Sequence, residues 1–443
     1  MPEPQTAAGI SANDPRTFLR RIFANALEEA SIQHVFDRHV SCERGVLRTG
    51  DDLYDLSRYQ RVFVVSIGKA GHTMVDALVS KVGTGLLQGI VVCPVDPPMQ
   101  SGFRYFRGGH PLPSDESLRA GSAVLRALEG MTADSLVIYM ISGGASALCE
   151  KPISDDITLP DLIATYKVLV HSGAPIAEIN AIRKHLSALK GGRMAQAAGA
   201  AQQVAIMISD VPEGKLDSLA SGPTVPDTTT AAECYAVAEK YEMVPDFPPP
   251  VRRLFEDRLL QETPKFGDPE FLNTRSCLIS SNETALRAAS KMARKAYFQV
   301  VVDNSCDDWD HAAAADYLIG ILRDLRKSGP RACVVSGGEV TVKVVNGGAG
   351  GRNQQFALYC ATKIAGENFA VLSAGTDGID GNSPAAGAVA DGTTMERALA
   401  LEADPVAALE KFDSYPLFEH LGDAIITGPT GNNVRDLRVL LAW

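Results

Sequence analysis

The chain has 443 residues, of which 45% are hydrophobic and 21% charged, and its formal net charge at pH 7 is -11. This length exceeds the size at which one hydrophobic core usually stops growing, so we expect two domains with a ligand cleft between them. The acidic balance disfavours nucleic-acid and anionic-membrane partners, because both require a basic surface that displaces counterions.

Helix-like and strand-like segments alternate through the first half. In chain order they are helix 15–30, strand 61–67, helix 70–81, strand 89–93, helix 115–128, strand 135–141, helix 159–172 and strand 203–208. Apolar residues recur at helical spacing in the helices and as short buried runs in the strands. This alternation predicts a mostly parallel sheet covered by helices, in a first domain over residues 15–243.

The composition changes between residues 244 and 270, where four prolines precede a charged stretch, and we predict a linker there. The strands predicted after it are 276–280, 298–302, 331–335, 340–345, 369–372 and 424–427. Residues 340–345 alternate between polar and apolar side chains, which is typical of an antiparallel or edge strand. A smaller α/β domain with a mixed sheet is therefore expected over residues 271–443.

Cysteine usage and the N-terminus both favour a cytoplasmic protein. The eight cysteines form no C-x-x-C pair and several lie in apolar runs, as reduced core thiols do. Residues 1–15 lack the basic start and apolar core of a secretory signal, and the longest apolar runs are too short to cross a bilayer. We expect a small-molecule substrate and allow for a homodimer.

Four glycine-rich junctions, at residues 142–144, 336–339, 347–352 and 375–378, adjoin apolar runs. Bare backbone amides beside a hydroxyl, carboxylate or guanidinium are suited to holding anions and orienting a phosphoryl group. The candidate substrate- and phosphate-binding residues are Ser142, Gly143, Gly144, Ser336, Gly337, Gly338, Asn282 and Asp377.

Two cations stand out beside these junctions. Lys69 leaves a predicted strand just before a helix, at the carboxyl edge of the parallel sheet, where such folds bind ligands. Arg352 follows five residues that include four glycines, and its guanidinium offers a planar fork for phosphate. An exposed lysine and an arginine on a turn are the alternatives. Neither segment fits a P-loop or G-x-G-x-x-G.

Several acidic residues are candidates for metal or proton chemistry. Asp210 follows a buried run and is suited to binding Mg²⁺ or accepting a hydroxyl proton, although it could instead cap a helix. Glu339, after Ser-Gly-Gly, is a second metal candidate that could merely begin a strand. Asp377, Asp380 and Asp391 suit Mg²⁺ or substrate hydroxyls, but loop aspartates also stabilise turns.

Six polar or cationic residues gather between positions 180 and 193, namely Asn180, Arg183, Lys184, His185, Lys190 and Arg193. A solvated helix face is their usual explanation, and attraction of a polyanionic substrate is the alternative. His72 and His110 lack zinc spacing and are weak candidates individually.

The motifs taken together resemble the glycerate 2-kinase family, whose C-terminal part is the MOFRL domain. In order along most of the chain they are V-S-I-G-K-A-G, G-G-H-P-L-P, I-S-G-G-A-S-A-L, I-S-D-V-P, S-G-P-T-V-P-D, G-G-R-N-Q, G-T-D-G-I-D-G and T-G-P-T-G-N-N-V. The resemblance implies a Rossmann-like N-terminal domain and ATP-dependent, Mg²⁺-assisted phosphorylation of D-glycerate at its 2-hydroxyl, in the cleft between the domains.

Carried over from the family, Lys69 and Arg352 match the phosphoryl-binding positions and Asp210 matches the Ser-Asp-Val acid. Here Glu213-Gly214-Lys215 follows, where the family usually has more acidic residues, so the metal-binding carboxylate stays open. Some relatives carry the name hydroxypyruvate reductase, but the chain lacks G-x-G-x-x-G for NAD(P)H. A non-catalytic sugar-acid sensor would not need lysine, arginine and carboxylate together.

Overall fold

The structure of the protein, a computed structural model, describes residues 14–212, 214–344 and 347–443. Its helices are α1 (Pro15–Ala30), α2 (Ile32–His39), α3 (Gly71–Val82), α4 (Asp115–Glu129), α5 (Ala145–Leu148), α6 (Leu159–His171), α7 (Ile176–His185), α8 (Arg193–Ala197), α9 (Ala231–Lys240), α10 (Pro249–Glu256), α11 (Asn282–Lys295), α12 (His311–Ser328), α13 (Arg352–Lys363), α14 (Thr394–Ala400), α15 (Pro405–Glu410) and α16 (Ser414–His420). Short 3₁₀ turns cover Leu56–Arg58, Leu219–Ser221, Val244–Asp246 and Pro269–Phe271.

The strands are β1 (Val40–Glu43), β2 (Val46–Thr49), β3 (Asp52–Asp55), β4 (Arg61–Ile67), β5 (Leu87–Cys93), β6 (Phe103–Arg107), β7 (Ser135–Ile141), β8 (Gln202–Ile208), β9 (Thr274–Ser280), β10 (Gln299–Val302), β11 (Ala332–Ser336), β12 (Phe369–Gly375), β13 (Gly387–Asp391), β14 (Ala424–Ile425) and β15 (Asp436–Ala442). The chain divides into two compact units. We call Val35–Ile279 the N-terminal unit, and Ser280–Trp443 with the described residues up to His34 the C-terminal unit.

A six-stranded sheet in the order β6-β5-β4-β7-β8-β9 forms the centre of the N-terminal unit. The ladders that join β6 to β5, β5 to β4, β4 to β7 and β7 to β8 are parallel. Every residue of β7 is buried, as expected for a strand with helices over both faces of its sheet. The predicted parallel fold is confirmed, and the carboxyl ends of β4, β7 and β8 meet at one edge.

The structure adds a small antiparallel sheet, β1-β2-β3, that the sequence analysis treated only as a polar segment. Arg44 and Gly45, both with positive φ (52° and 81°), form the turn between β1 and β2. Two consecutive left-handed residues are characteristic of a tight hairpin turn. The Arg-Gly pair before Val46-Leu47-Arg48-Thr49 was the available sequence signal.

Residues 244–270, predicted to be a linker, pack into the N-terminal unit instead. Phe247, Val251 and Phe255 are buried in a helical core together with Leu162 and Leu169 of α6. The prolines that suggested a linker begin α10, where a missing N–H costs nothing in the first turn. Composition indicated a linker, but Phe247, Val251 and Phe255 attach this segment to the core.

The C-terminal unit contains the predicted mixed sheet, in the order β10-β11-β15-β12-β13-β14. Strand β10 is parallel to β11, and the other neighbouring strands are antiparallel. The last strand, β15, lies in the middle, so the C-terminal residues complete the core. All seven of its residues are buried.

Helix α1 has the predicted bounds but belongs to the C-terminal unit. Asp14 caps it by accepting a hydrogen bond from the Arg16 amide (3.1 Å), and Phe18 stacks on Phe298 with ring centroids 6.0 Å apart. Asn432 also donates to the carbonyl oxygen of Ala30 (2.6 Å). The first domain was predicted to begin at residue 15, but α1 belongs to the C-terminal unit. An apolar helix face packs wherever a complementary surface exists.

The strand predicted at residues 340–345 is not formed by its described part, residues 340–344, while Val345 lies outside the described residues. Thr341 makes an isolated bridge with Asp310. Gly338 has a φ of 83° and the Glu339 amide donates to Asp307 Oδ1 (2.9 Å), so the chain turns away from the sheet after β11.

Among the residues that the structure describes, no helix combines the length and the hydropathy of a membrane span. The eight cysteines are free thiols.

Candidate functional site

The predicted phosphate site of the N-terminal unit lies where β4 and β7 end. Gly68 has a φ of 134°, a conformation that L side chains rarely adopt, and a Cβ there would overlap Ser142. The Lys69 amide donates to the Gly143 carbonyl (2.9 Å), and the Ala70 amide donates to Ser142 Oγ (3.1 Å). The two junctions are thus joined directly, and Lys69, Ser142 and Gly143 lie together.

Three functional groups lie close to Gly143 and Gly144. The Asp210 carboxylate, just beyond β8, lies so close to Gly143 that a Cβ there would overlap it. A Cβ on Gly144, whose φ is 81°, would lie 3.3 Å from Lys69 Cγ and 3.1 Å from His110 Cδ2. A cation, a carboxylate and an imidazole therefore surround a side-chain-free surface, an arrangement suited to a small anionic substrate.

His110 is the residue that sequence reasoning undervalued. It lies in the loop between β6 and α4, and partial burial of its ring, followed by the charge of Lys69, lowers its pKa. A neutral imidazole beside a lysine can accept a proton or donate a hydrogen bond. The available signal was its place in G-G-H-P-L-P, after β6 of the same sheet.

Replacing Gly143 by alanine is expected to displace the Asp210 carboxylate and lower kcat/KM by about 10²-fold, since small misplacements of reacting groups have effects of that size. Overpacking should lower the free energy of unfolding by only about 1–3 kcal/mol. Steady-state kinetics and urea unfolding measure the two effects. Gly85→Ala, where a Cβ meets no atom within 4 Å, is the matched control. Unchanged kcat/KM for Gly143→Ala would exclude a role for this contact.

The cationic stripe at residues 183–193 is not a solvated helix face. Lys184, His185, Lys190 and Arg193 are all buried, and carboxylates or carbonyls surround them. Lys184 Nζ lies 3.0 Å from Asp227 and 3.2 Å from Asp217, His185 Nε2 lies 3.0 Å from Glu262, and Arg193 donates to the Gln261 carbonyl (3.1 Å). The charges are neutralised internally, so this stripe does not present a cationic surface to a polyanion.

Lys190 is expected to be a stability residue. Its ammonium pairs with the fully buried Glu150, which also accepts hydrogen bonds from Tyr166 (2.7 Å) and Ser187 (2.6 Å). Lys190→Met should lower the free energy of unfolding by about 3–5 kcal/mol, because it leaves a buried carboxylate unpaired. Urea unfolding tests this. In the exposed pair Lys151–Asp155, the same lysine-to-methionine change should cost no more than about 1 kcal/mol.

Arg352 is the first residue of α13 in the C-terminal unit, and two carboxylates hold its guanidinium. Nε and Nη2 donate to the two oxygens of Asp436 (2.6 and 3.0 Å), and Nη2 lies 3.0 Å from Glu339 Oε1. Burial alone would lower the pKa of Arg352, but the hydrogen bonds and charge of Asp436 raise it above the usual arginine value. Arg352 and Glu339 are therefore brought together, as ion-pair partners.

Two amides of the glycine-rich loop before Arg352 bind side chains of this chain. Ala349 N donates to Asp413 Oδ1 (2.8 Å) and Gly350 N to Asn382 Oδ1 (2.9 Å). At the start of α13, the amides of Asn353 and Gln354 donate to the two oxygens of Asp380 (3.0 and 2.9 Å). Side chains of this chain thus occupy the positions that a phosphate would take.

Asp380 is consequently a helix-capping residue, and its burial raises its pKa to about 6 against the opposing amide hydrogen bonds. Asp391 also has a structural role, since it accepts from Thr393 N (2.9 Å) and pairs with Arg16 (3.3 Å). Asp377 accepts from Ile379 N (3.2 Å) in a turn and also faces a cavity. The acidic cluster read from the sequence therefore separates into three different local roles.

The Ser336-Gly337-Gly338 junction is likewise satisfied internally. Ser336 is fully buried, and Gly337 N donates to Asn304 Oδ1 (2.8 Å). Asn282, predicted to bind substrate, donates its amide to the backbone oxygens of Val434 (2.7 Å) and Asp436 (3.0 Å). Asn282 and Gly337 thus make hydrogen bonds within the chain, and their predicted role in binding substrate stays a prediction.

A cavity of about 700 Å³ opens beside Arg352 within the C-terminal unit. Polar groups on its wall include Arg352, Asp377 and Asn382, and apolar groups include Val340 and Phe412. The cavity can receive a small polar ligand next to the guanidinium.

Asp210 and Glu339 remain the two predicted metal carboxylates, and carboxylate oxygens are ligands that Mg²⁺ accepts. Within residues 14–212, 214–344 and 347–443, no group of three or more His, Cys, Asp or Glu side chains is arranged to hold a metal ion. Mg²⁺ commonly binds one or two protein carboxylates together with substrate phosphates and waters, so such a group is not required. Glu213, in the departure from the family pattern, lies outside the described residues.

Comparison with known proteins identifies the family. The model of a domain of unknown function, DUF4147, matches residues 18–256, and the MOFRL family model matches residues 332–436. D-glycerate 2-kinase of Thermotoga maritima is 35% identical, over 85% of this chain and 89% of that protein. Glycerate kinase of Homo sapiens is 30% identical, over 95% and 92%.

An Agrobacterium vitis protein provisionally named hydroxypyruvate reductase is 35% identical over 93% of both chains. The crystal structure of a glycerate kinase from Thermotoga maritima matches with a TM-score of 0.83 at 31% identity, covering 97% of this chain and 99% of that one. Sequence and fold agree over nearly the whole length. The chain therefore belongs to the glycerate 2-kinase family, whose C-terminal part is the MOFRL domain.

Proposed function

We propose that this chain transfers the γ-phosphoryl group of ATP to the 2-hydroxyl of D-glycerate, giving 2-phosphoglycerate and ADP. The observation that carries the proposal is the strand-end group in which Lys69 lies beside Gly144 and the Asp210 carboxylate lies over Gly143. Relatives named glycerate kinase support the substrate. The cytoplasmic location and a homodimer stay predictions.

The residues divide into roles that phosphoryl transfer requires, which are mainly positioning and charge stabilisation. Lys69 and Arg352 hold the transferring group and stabilise its charge. Asp210 accepts the hydroxyl proton or binds Mg²⁺, and Glu339 is the second metal candidate. When bound, Mg²⁺ neutralises charge on the phosphate oxygens. Ser142 holds the Lys69 loop through the Ala70 amide (3.1 Å).

Phosphorus NMR of the purified protein with Mg·ATP and D-glycerate tests the proposal, because 2-phosphoglycerate and 3-phosphoglycerate differ in chemical shift and coupling. We expect the 2-phosphate. Formation of 3-phosphoglycerate would still make the protein a glycerate kinase, but it would contradict transfer to the 2-hydroxyl. Absence of any phosphorylated product would contradict the kinase proposal.

Removing Mg²⁺ with a chelator separates the kinase from the alternative reductase. Chelation should abolish phosphorylation, because Mg²⁺ and ATP act together in phosphoryl transfer. Reduction of hydroxypyruvate by NAD(P)H, followed at 340 nm, would be largely unaffected by chelation. Reductase turnover without kinase turnover would favour the alternative.

A further inference from the structure

Two carboxylates contact Arg352, and their environments differ. Asp436 bonds to Nε and Nη2 together and its side chain is 1% exposed, whereas Glu339 Oε1 lies 3.0 Å from Nη2 and the Glu339 side chain is 33% exposed. Nη1, at the other end of the guanidinium, is not among the atoms that bind Asp436, and the Arg352 side chain remains 35% exposed. The guanidinium is thus held along one edge while its other end stays accessible.

The backbone around Asp436 is fixed from several directions. Asn282 donates to the carbonyl oxygens of Val434 and Asp436 (2.7 and 3.0 Å). Asp436 begins the central strand β15 and pairs in register with Gly375 of β12. Thr376 Oγ1 accepts from the Val434 amide (2.8 Å). The carboxylate therefore has little freedom to move away from Arg352.

Arg435 adds a second connection at the same turn. It has a φ of 69°, uncommon for a residue with a side chain, and its guanidinium makes two hydrogen bonds to Asp307 (2.6 and 2.7 Å). Asp307 in turn accepts from the Glu339 amide (2.9 Å). One dipeptide, Arg435-Asp436, thus fixes Arg352 through its carboxylate and the Glu339 backbone through its guanidinium. Strained backbone that the surrounding structure maintains is characteristic of functional sites.

We propose that Asp436 is the positioning residue for Arg352, which it orients so that the Nη1 end points toward the transferring phosphoryl group. The inference rests on the proposed function. A bidentate arginine–carboxylate pair restrains orientation as well as charge, and rotation of a phosphate-binding guanidinium would misplace its donors. Asp436 acts only through Arg352 and does not itself contact substrate.

Asp436→Asn tests the proposal, because the amide keeps the volume but replaces one acceptor by an NH₂ group. We expect kcat/KM to fall by about 10²-fold, mostly in kcat, as for other misplaced catalytic groups. Asp423→Asn is the matched control, since Asp423 is also buried and pairs with Arg397 in the same unit. Asp423→Asn should lower the melting temperature without changing kcat/KM.

A double-mutant cycle separates positioning from general damage. In the Arg352→Ala background, Asp436→Asn should lower kcat/KM by no more than about twofold, because residues that act as a unit are non-additive. Two independent losses that multiply would overturn the proposal. The comparison remains valid if Asp436→Asn is less stable than the wild type, because each variant of the cycle is assayed below its own melting temperature.

¹⁵N NMR of the Arg352 Nε–H, assigned by its loss in Arg352→Lys, gives a readout that needs no turnover. In the wild type and in Asp423→Asn, the Nε–H signal should lie downfield of an exposed arginine, and its proton should exchange slowly with solvent. In Asp436→Asn the signal should lose both properties. An unchanged signal in Asp436→Asn would overturn the proposal. Wild-type protein that lacks kinase turnover but shows this signal pattern would contradict the proposed function alone.

Discussion

Lys69→Ala is expected to lower kcat by on the order of 10³-fold, the size of effect seen when one charge-stabilising group is removed from an active site. Lys69 is half-buried at the exit of β4, and its stem lies beside Gly144. Phosphoryl transfer depends on such a cation, because charge spreads over the oxygens of the transferring group. The rate at which 2-phosphoglycerate forms, followed by phosphorus NMR, measures the loss of kcat.

Thermal melting of Lys69→Ala should stay near the wild-type value, since its side chain fills no core position. Lys240→Ala is the control: this exposed lysine pairs with Glu178 (3.0 Å) on the surface and should leave kcat unchanged. If Lys69→Ala loses activity only because it unfolds, Lys69 is not a catalytic residue. The same conclusion follows if Lys69→Ala folds and keeps near wild-type turnover.

Arg352→Ala should also lower kcat by on the order of 10³-fold, and in addition it should lower the melting temperature. The stability effect arises because alanine leaves Asp436 buried without its partner, a change that typically costs about 3–5 kcal/mol. Kinetics below the melting transition and calorimetry distinguish the two effects.

The control for Arg352→Ala is Arg397→Ala, which removes an arginine from the buried Asp423 in the same unit. Asp423 keeps Arg16 as a partner (3.4 Å), so Arg397→Ala should lose less stability than Arg352→Ala and should retain kcat. Equal loss of kcat in the two variants would mean that the activity of Arg352→Ala reports on stability rather than on phosphoryl binding.

Local pattern explains most of the fold that sequence analysis anticipated. Strands β4 and β7 have the predicted bounds, and α1 also does, because apolar periodicity and caps are local properties of the chain. Lys69, Ser142 and Asp210 lie close together for a simple reason. Each follows a strand of one parallel sheet, and the carboxyl ends of such strands share an edge.

Errors arose where distant polar partners decide the outcome. The amides of the glycine-rich loop were expected to hold phosphate, but Asp413 binds Ala349 from 64 residues away and Asp380 binds Asn353 from 27 residues away. The cationic stripe was expected to be solvated, yet Lys190 pairs with Glu150 at a separation of 40 residues. No period or spacing connects such pairs.

Local sequence patterns were enough to predict the two α/β sheets, the family and the strand-end position of Lys69 and Asp210. Which polar groups find partners within the chain, and which stay accessible, depends on the three-dimensional packing. The pairing of Arg352 with Asp436, 84 residues apart, shows the physical reason. A hydrogen bond depends on distance and angle between side chains, and those are fixed by packing of the whole unit rather than by order along the chain.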